Sequence, residues 1–490
     1  MRSSPVPSAE GTIPPRVTTD TDPPPAPADP LPAAPPPAAA AAEPAAQAAS
    51  GAARQLGAAA LRGVALTVVS HGGSQVLRLA SNLLLTRLLF PEAFGLMALV
   101  NGCMTALQMF SDLGLRAGII SDERGDEPGF LNTAWTLGVI RNTCIWLVSC
   151  ALAWPVSRFY EQPELLWMLP VVGLQALVMG FTSTNYTTLN RKLILGRITV
   201  IELSIQVVSL LAMCACAWVY RSVWALVVGN LVSATLWMAC SHLALPGTKN
   251  RFAWDAAAAR RLVRFGRWIF LSTVLTYLAG HSDRMILGAS MTAAALGVYN
   301  IAAFLGHAVQ DGLSSISGRV LFPLYARLAE LDPGSLRGRL RRARAQLLVL
   351  ALPPVCVLVA FGAEVLRLLY DARYQDGAWV LQVLAAGSIA EIVNLTGSPV
   401  LLARGDSFRH MLVLVVRSTL LIASLYLGNR WWGVEGQVLA IAANPLLGYP
   451  ALAWATRAHG VWLPGLDAAA FAGSALLIGL LELVRRALFV

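Results

Sequence analysis

Four arginines, Arg78, Arg141, Arg284 and Arg417, stand inside long apolar stretches of this chain. One arginine at the centre of a bilayer-spanning helix costs about 2.5–3.5 kcal/mol even on the lenient insertion scale, so four facing lipid would cost about 10–14 kcal/mol. They are therefore expected to face a water-filled cavity, a carboxylate or an anionic ligand. The planar guanidinium pairs its N–H donors with two oxygens of a phosphate or carboxylate, which makes anion binding the chemistry on offer. Arg284 lies near a segment end, where snorkelling to the interface is the simpler account. Arg78, Arg141 and Arg417 lie too deep for that. A second group is Asp283, His307, Asp311 and Glu391. His307 and Asp311 are four residues apart and share one helical face, which suits a coupled, proton-carrying pair. Charge balance with the arginines explains Asp283 and Asp311 equally well.

The polar residues around these groups recur at helical steps. Ser70, Ser74, Arg78, Ser81 and Asn82 share one face, as do Asn101, Thr105, Gln108 and Asp112. Asn300, His307, Asp311 and Ser315 form a third stripe, and Thr276, Gly280 and Asp283 a fourth. Such stripes line a wet cavity or hydrogen-bond between helices. The candidate cavity set is Arg78, Asn82, Gln108, Arg141, Arg284 and Arg417, with Asp283, His307, Asp311 and Glu391 as candidate ion-coupling groups. No glycine loop shaped for phosphate, no zinc spacing and no nucleophile–base arrangement is visible, so catalytic residues, cofactors and metals are not expected.

The elements that hold these residues follow from composition. Hydrophobic residues make up 56% of the 490 and charged residues 13%. That is half the charge a soluble domain needs to cover its surface, so the fold expected is an all-α polytopic membrane protein. Apolar segments fall at 63–89, 92–113, 131–154, 165–186, 198–219, 222–244, 266–288, 293–322, 346–362, 377–400, 408–428, 433–455 and 466–484. This gives about 12–14 transmembrane helices. Residues 1–57, rich in Pro and Ala, cannot bury enough apolar surface to fold and are expected to form a disordered tail. The seven cysteines lie in apolar stretches and read as small buried hydrophobes.

The net charge of +10 sits mainly in connectors, where it sets topology rather than binding nucleic acid. Arg191, Lys192 and Arg197, then Lys249 to Arg264, then Arg327 to Arg344, then Arg404 and Arg409, mark one side. The opposite connectors hold only Arg158, Arg221, Arg367, Arg373 and Arg430. The positive-inside rule makes the first set and the N-terminus cytoplasmic. A thirteenth span disagrees with it, because Arg485 and Arg486 would then lie outside.

Phe94-Gly95-Leu96-Met97 after the first span echoes Leu296-Gly297-Val298-Tyr299 after the seventh; at the same offset Ala93 matches Ala295 and Gln108 matches Gln310. The echo suggests two six-helix lobes of like orientation, as in parallel transporter repeats, over 58–245 and 246–460. Residues 461–490 add a further segment. Three stretches, Phe130-Leu131-Asn132-Thr133-Ala134-Trp135-Thr136, Leu85 to Leu99, and Asp283 to Gly288 before Gly297-Val298-Tyr299, resemble the Wzx-type flippases of the multidrug/oligosaccharidyl-lipid/polysaccharide superfamily. The similarity covers roughly 60–460 and leaves out the tail. It implies an inner-membrane protein whose lobes rock to move an undecaprenyl-diphosphate-linked oligosaccharide between leaflets, driven by an ion gradient. The partners implied are that glycan, membrane lipid and other polysaccharide assembly proteins. The alternatives are an ion-coupled small-molecule exporter of another family and a membrane glycan polymerase or ligase. The short outward connectors argue against the enzyme, and the arginine-rich interior against a drug-cation exporter. Reporter fusions after Arg261 and Arg344 are expected to read cytoplasmic, and those after Arg158 and Arg373 periplasmic. A periplasmic reading at Arg344 would reverse the orientation.

Overall fold

A computed structural model describes residues 72–192, 195–280, 282–316, 333–404 and 406–489. The tail over 1–57, Ser70, Arg327, residues 317–322 and the Ser315 side chain lie outside the described residues and side chains. The described chain is helical throughout: α1 (72–88), α2 (Pro91–Met109), α3 (Leu115–Ser121), α4 (Pro128–Phe159), α5 (Leu165–Gly180), α6 (Asn185–Arg191), α7 (Leu195–Tyr220) and α8 (Trp224–Leu243). The second half contains α9 (Ala256–Gly280), α10 (Ser282–Ser290), α11 (Ala293–Ile316), α12 (Pro333–Leu369), α13 (Ala378–Gly397), α14 (Pro399–Ala403), α15 (Ser407–Arg457) and α16 (Pro464–Phe489). In lipid the backbone must satisfy its own hydrogen bonds, which is why so apolar a chain builds helices.

The chain is a polytopic helical membrane protein. Eight described helices are long and apolar enough to cross a membrane, and a ninth crossing arises if α5 and α6, bent by 61°, count together. Three segments expected to span, in α1, α2 and α9, fall outside this set. Only 72–88 of the first is described, too short to count; polar residues lower the mean hydropathy of α2, and arginines that of α9. Helix α15 is 51 residues long, about 76 Å at 1.5 Å per residue, against a hydrocarbon core of about 30 Å. It breaks at Trp432 and Gly433, where Gly433 takes φ +59. Beyond the break the chain folds back: a Cβ on Gly428 would lie 2.4 Å from the Gly436 carbonyl oxygen. The two runs match the segments expected at 408–428 and 433–455.

The echo in the sequence has a physical meaning. A Cβ on Gly95 would lie 1.8 Å from the Ala293 carbonyl oxygen, and one on Gly297 would lie 1.9 Å from that of Pro91. Pro91 and Ala293 stand at the same offset as the two glycines, so the contact between α2 and α11 is reciprocal, as at a two-fold interface. Close to it, the Arg373 guanidinium donates to the Thr86 carbonyl at 3.3 Å, and Tyr374 meets Phe94 edge to face. These contacts pin the end of α1 and the start of α2 to the second half.

The segment joining the halves is also held by side chains. Thr133 accepts from the Asp255 amide at 3.0 Å, Thr136 from that of Ala253 at 3.2 Å, and Asn132 from that of Arg251 at 3.2 Å. The polar residues of the Phe130–Thr136 stretch therefore fasten an extended linker to α4. Asp406 before α15 accepts from the Arg409 amide and guanidinium and from His459, and these donors hold its carboxyl at about 2.

Arg485 and Arg486, at the end of α16, both find carboxylates. Arg485 pairs with Glu482 at 2.6 Å and with Glu364 of α12 at 3.4 Å, and Arg486 pairs with Glu482. Replacing Gly95 or Gly297 by Val should cost about 1–3 kcal/mol through overpacking against rigid backbone. The check is a lowered thermal midpoint in detergent; a Gly95→Val variant as stable as the parent would show that the helices part freely.

Candidate functional site

Six of the ten sequence-selected residues meet in one cavity of 720 Å³. Arg78 and Asn82 enter from α1, Asp283 and Arg284 from α10, and His307 and Asp311 from α11. Helix periodicity puts Arg78, Ser81 and Asn82 on one turn, and Asn300, His307 and Asp311 along one stripe. Neither Arg78 nor Arg284 has an ion-pair or hydrogen-bond partner among the described residues. Asp283 accepts from the buried Tyr299 hydroxyl at 3.2 Å, while its other carboxylate oxygen is buried without a partner among the described residues. Two cations, two carboxylates and an imidazole thus share a polar chamber, with amides at Asn101, Asn230 and Asn300.

Helices α7 and α8 contribute a wall that the sequence reading missed. Gln206, Ser209, Asn230 and Ser233 line the cavity from them. The signal was present as two polar pairs three residues apart, 206/209 and 230/233, too short to stand out in strongly apolar helices.

The other four residues sit elsewhere. Arg141 reaches from α4 to the end of α2, donating Nε to the Ser111 carbonyl at 2.7 Å and Nη2 to that of Gln108 at 2.5 Å. These carbonyls lie at the negative end of the α2 dipole, where a guanidinium is doubly favoured. Gln108 and Arg141 line a second cavity of 610 Å³, with Asp112, Arg116, Asn142 and Gln175 among its polar residues. Asp112 turns its carboxylate to the Gly114 amide at 2.9 Å. Arg417 and Glu391 form a two-pronged pair at 2.5 and 3.3 Å between α15 and α13, and neither lines the 720 Å³ cavity. Arg344, at the edge of the apolar segment of α12, is buried; it binds Asp467 of α16 at 2.7 Å, and Tyr449 donates to the same carboxylate at 2.8 Å.

With this geometry in view, comparison with known proteins is informative. The family model described as polysaccharide biosynthesis protein matches residues 84–378, more than half of the chain. The chain belongs to that family. The chain is 23% identical over 402 residues to the lipopolysaccharide biosynthesis protein WzxC of Escherichia coli K12, covering 78% of this chain and 79% of that one. It is 22% identical to the amylovoran biosynthesis protein AmsL of Erwinia amylovora, over 64% of this chain and 82% of that one. Among solved structures it shares its fold with the lipid II flippase MurJ in an inward closed conformation, at a TM-score of 0.63 and 13% identity. The match covers 86% of this chain and 98% of that chain. This membership of the polysaccharide biosynthesis family agrees with the resemblance read from Phe130–Thr136 and its companion stretches.

The Arg417–Glu391 pair separates structural from binding roles. The Arg417 and Glu391 side chains are 21% and 12% exposed, so removing one partner leaves a partly buried charge unanswered, whereas replacing both by neutral residues costs much less. Arg417→Gln alone should therefore lower the yield of folded protein and its thermal midpoint, and Arg417→Gln with Glu391→Gln should restore both. A double variant as damaged as the single one would show that Arg417 acts through something other than Glu391.

Proposed function

We propose that the protein is a flippase that moves undecaprenyl-diphosphate-linked oligosaccharide units across the inner membrane for polysaccharide assembly. The observation that carries the proposal is that Arg78 and Arg284, from opposite halves of the chain and unpaired among the described residues, line one chamber. A diphosphate offers several oxygens to two guanidinium forks, and such paired, charge-assisted bonds are stronger than neutral ones. The amides of Asn82, Asn101, Asn230 and Asn300 can meet sugar hydroxyls, while the polyprenyl chain stays in lipid. In this reading the lobes over 58–245 and 246–460 rock about the Gly95–Gly297 contact, and the N-terminus is cytoplasmic. No catalytic step is required of the chain; glycan polymerases and transferases are its functional neighbours.

Asp283, His307 and Asp311 supply the coupling in this scheme. They share the chamber with the arginines, so an anionic ligand and a proton or cation there would change each other's affinity. Energy from an ion gradient then needs no site outside the chamber.

Replacing Arg78 or Arg284 by Ala should block export, with lipid-linked glycan accumulating in the inner leaflet at normal protein levels. Lysine keeps the charge but loses the paired geometry, so Arg→Lys variants should retain part of the activity. The measurement is polymer output together with extraction of the lipid-linked intermediate. Undiminished output from well-expressed Arg78→Ala and Arg284→Ala variants would rule out the anion-binding chamber.

A further inference from the structure

The 610 Å³ cavity is separate from the chamber and differs from it in chemistry. It lies between the end of α2, α3, the first half of α4, the bend from α5 to α6, and Thr273 of α9. Its volume falls within the range of sites that hold a small ligand, about 300–1,000 Å³. Three of its lining side chains, the amides of Gln108 and Gln175 and the hydroxyl of Thr187, have no hydrogen-bond partner among the described residues. An amide both donates and accepts, which matches neighbouring hydroxyls on a sugar ring.

Its charge is unbalanced. Arg116 lies over the Tyr186 ring at 5.3 Å and has no carboxylate partner among the described residues. Stacking uses the face of a guanidinium and leaves its edge donors free. The lining carboxylate, Asp112, is turned to the Gly114 amide. Arg141, already committed to two α2 carbonyls, adds a second positive charge at the same wall.

The wall around Thr187 is fixed in advance. Ser183 accepts nothing from the cavity side: its hydroxyl donates to Asn250 at 2.7 Å, its amide donates to Ser241 at 2.9 Å, and Asn250 donates back to the Thr184 hydroxyl at 2.9 Å. This buried network holds the bend after α5, and with it the position of Thr187. A site built in this way loses little entropy on binding.

We propose that this cavity is a saccharide-binding subsite that takes a sugar carrying a carboxylate, with Arg116 as the anion contact and Gln108, Gln175 and Thr187 as hydroxyl contacts. An apolar ligand would leave three polar groups and a cation unanswered. An anionic phospholipid headgroup would answer the arginine but leave the amides empty. The proposal rests on the reading of the chain as a carrier of lipid-linked glycan, to which it adds a second contact point for the glycan end, away from the diphosphate.

The test uses the full-length protein in nanodiscs, with saturation-transfer NMR to follow three probes. These are a hyaluronan tetrasaccharide, which carries glucuronate, the neutral cellotetraose, and inorganic pyrophosphate. The acidic tetrasaccharide should bind more tightly than cellotetraose, and Arg116→Ala or Gln175→Ala should weaken it by about tenfold, as expected for loss of a charge-assisted or paired hydrogen bond. Arg78→Ala with Arg284→Ala should leave tetrasaccharide binding within about twofold while weakening pyrophosphate. Arg116 is exposed, so its removal leaves the fold intact, and Arg116→Lys should recover part of the affinity. Equal binding of the two tetrasaccharides, indifference to both cavity variants, or loss of the signal when phosphatidylglycerol is added to the nanodisc would overturn the proposal. Loss of tetrasaccharide binding in the Arg78/Arg284 variant alone would overturn it too, by moving the sugar into the central chamber. If pyrophosphate binding does not depend on Arg78 and Arg284, the flippase reading fails instead, and the saccharide subsite stands or falls on its own variants.

Discussion

Charge inside a membrane must be answered, and the architecture of this protein follows from the several answers it gives. A guanidinium at bilayer depth has lost its water, and only carboxylates, carbonyls or a wet cavity can replace it. Arg417 takes Glu391 and Arg141 takes carbonyls at the end of α2, while at the ends of apolar segments Arg344 takes Asp467 and Arg485 takes Glu482 and Glu364. Each pairing fastens two segments distant in sequence or two turns of neighbouring helices, so a cost becomes a constraint on packing. Arg78 and Arg284 are the exceptions among these six. Their surroundings are a polar chamber, where water or an anion must supply what protein groups elsewhere provide.

Packing without a hydrophobic driving force places its own demand on the halves. In lipid, helices associate through close contact, and small residues permit it. The reciprocal seating of Gly95 on Ala293 and of Gly297 on Pro91 brings backbone to backbone, and any larger side chain would separate α2 from α11. The same helices carry Asn101 and the Asn300–His307–Asp311 stripe into the chamber. Closeness at one point and openness further along are therefore two consequences of one helix crossing. At the opposite end of α2 the Arg141 clamp and the linker bound to Asn132, Thr133 and Thr136 hold the second cavity in shape.

The comparisons and the geometry converge from independent directions. Family membership comes from a pattern spread over residues 84–378, whereas the chamber comes from side chains of α1, α2, α7, α8, α10 and α11. Fold likeness to MurJ at 13% identity speaks only for architecture. The chemical argument for an anionic, sugar-bearing ligand rests on Arg78, Arg284 and the surrounding amides, and would stand without any relative.

Much of this was legible in the sequence. Composition alone required a helical membrane protein, because too little charge remains to cover a soluble surface. Helical spacing placed Arg78 beside Asn82, and His307 beside Asp311, since 3.6 residues per turn is a local rule. The break in α15 was legible as the gap between two apolar runs. The sequence could not say which of the arginines within apolar segments are spoken for. Arg141 and Arg417 looked the same as Arg78 from sequence, yet they find carbonyls and a carboxylate more than twenty residues away. The deciding partners are long-range, and no periodicity reports them. The second cavity was hidden for the same reason: α2, α3, α4, α5, α6 and α9 contribute only one or two ordinary polar residues apiece, and only their convergence makes a site. Local geometry is written in spacing, but the satisfaction of a buried charge depends on which helices meet, and tertiary structure alone decides that.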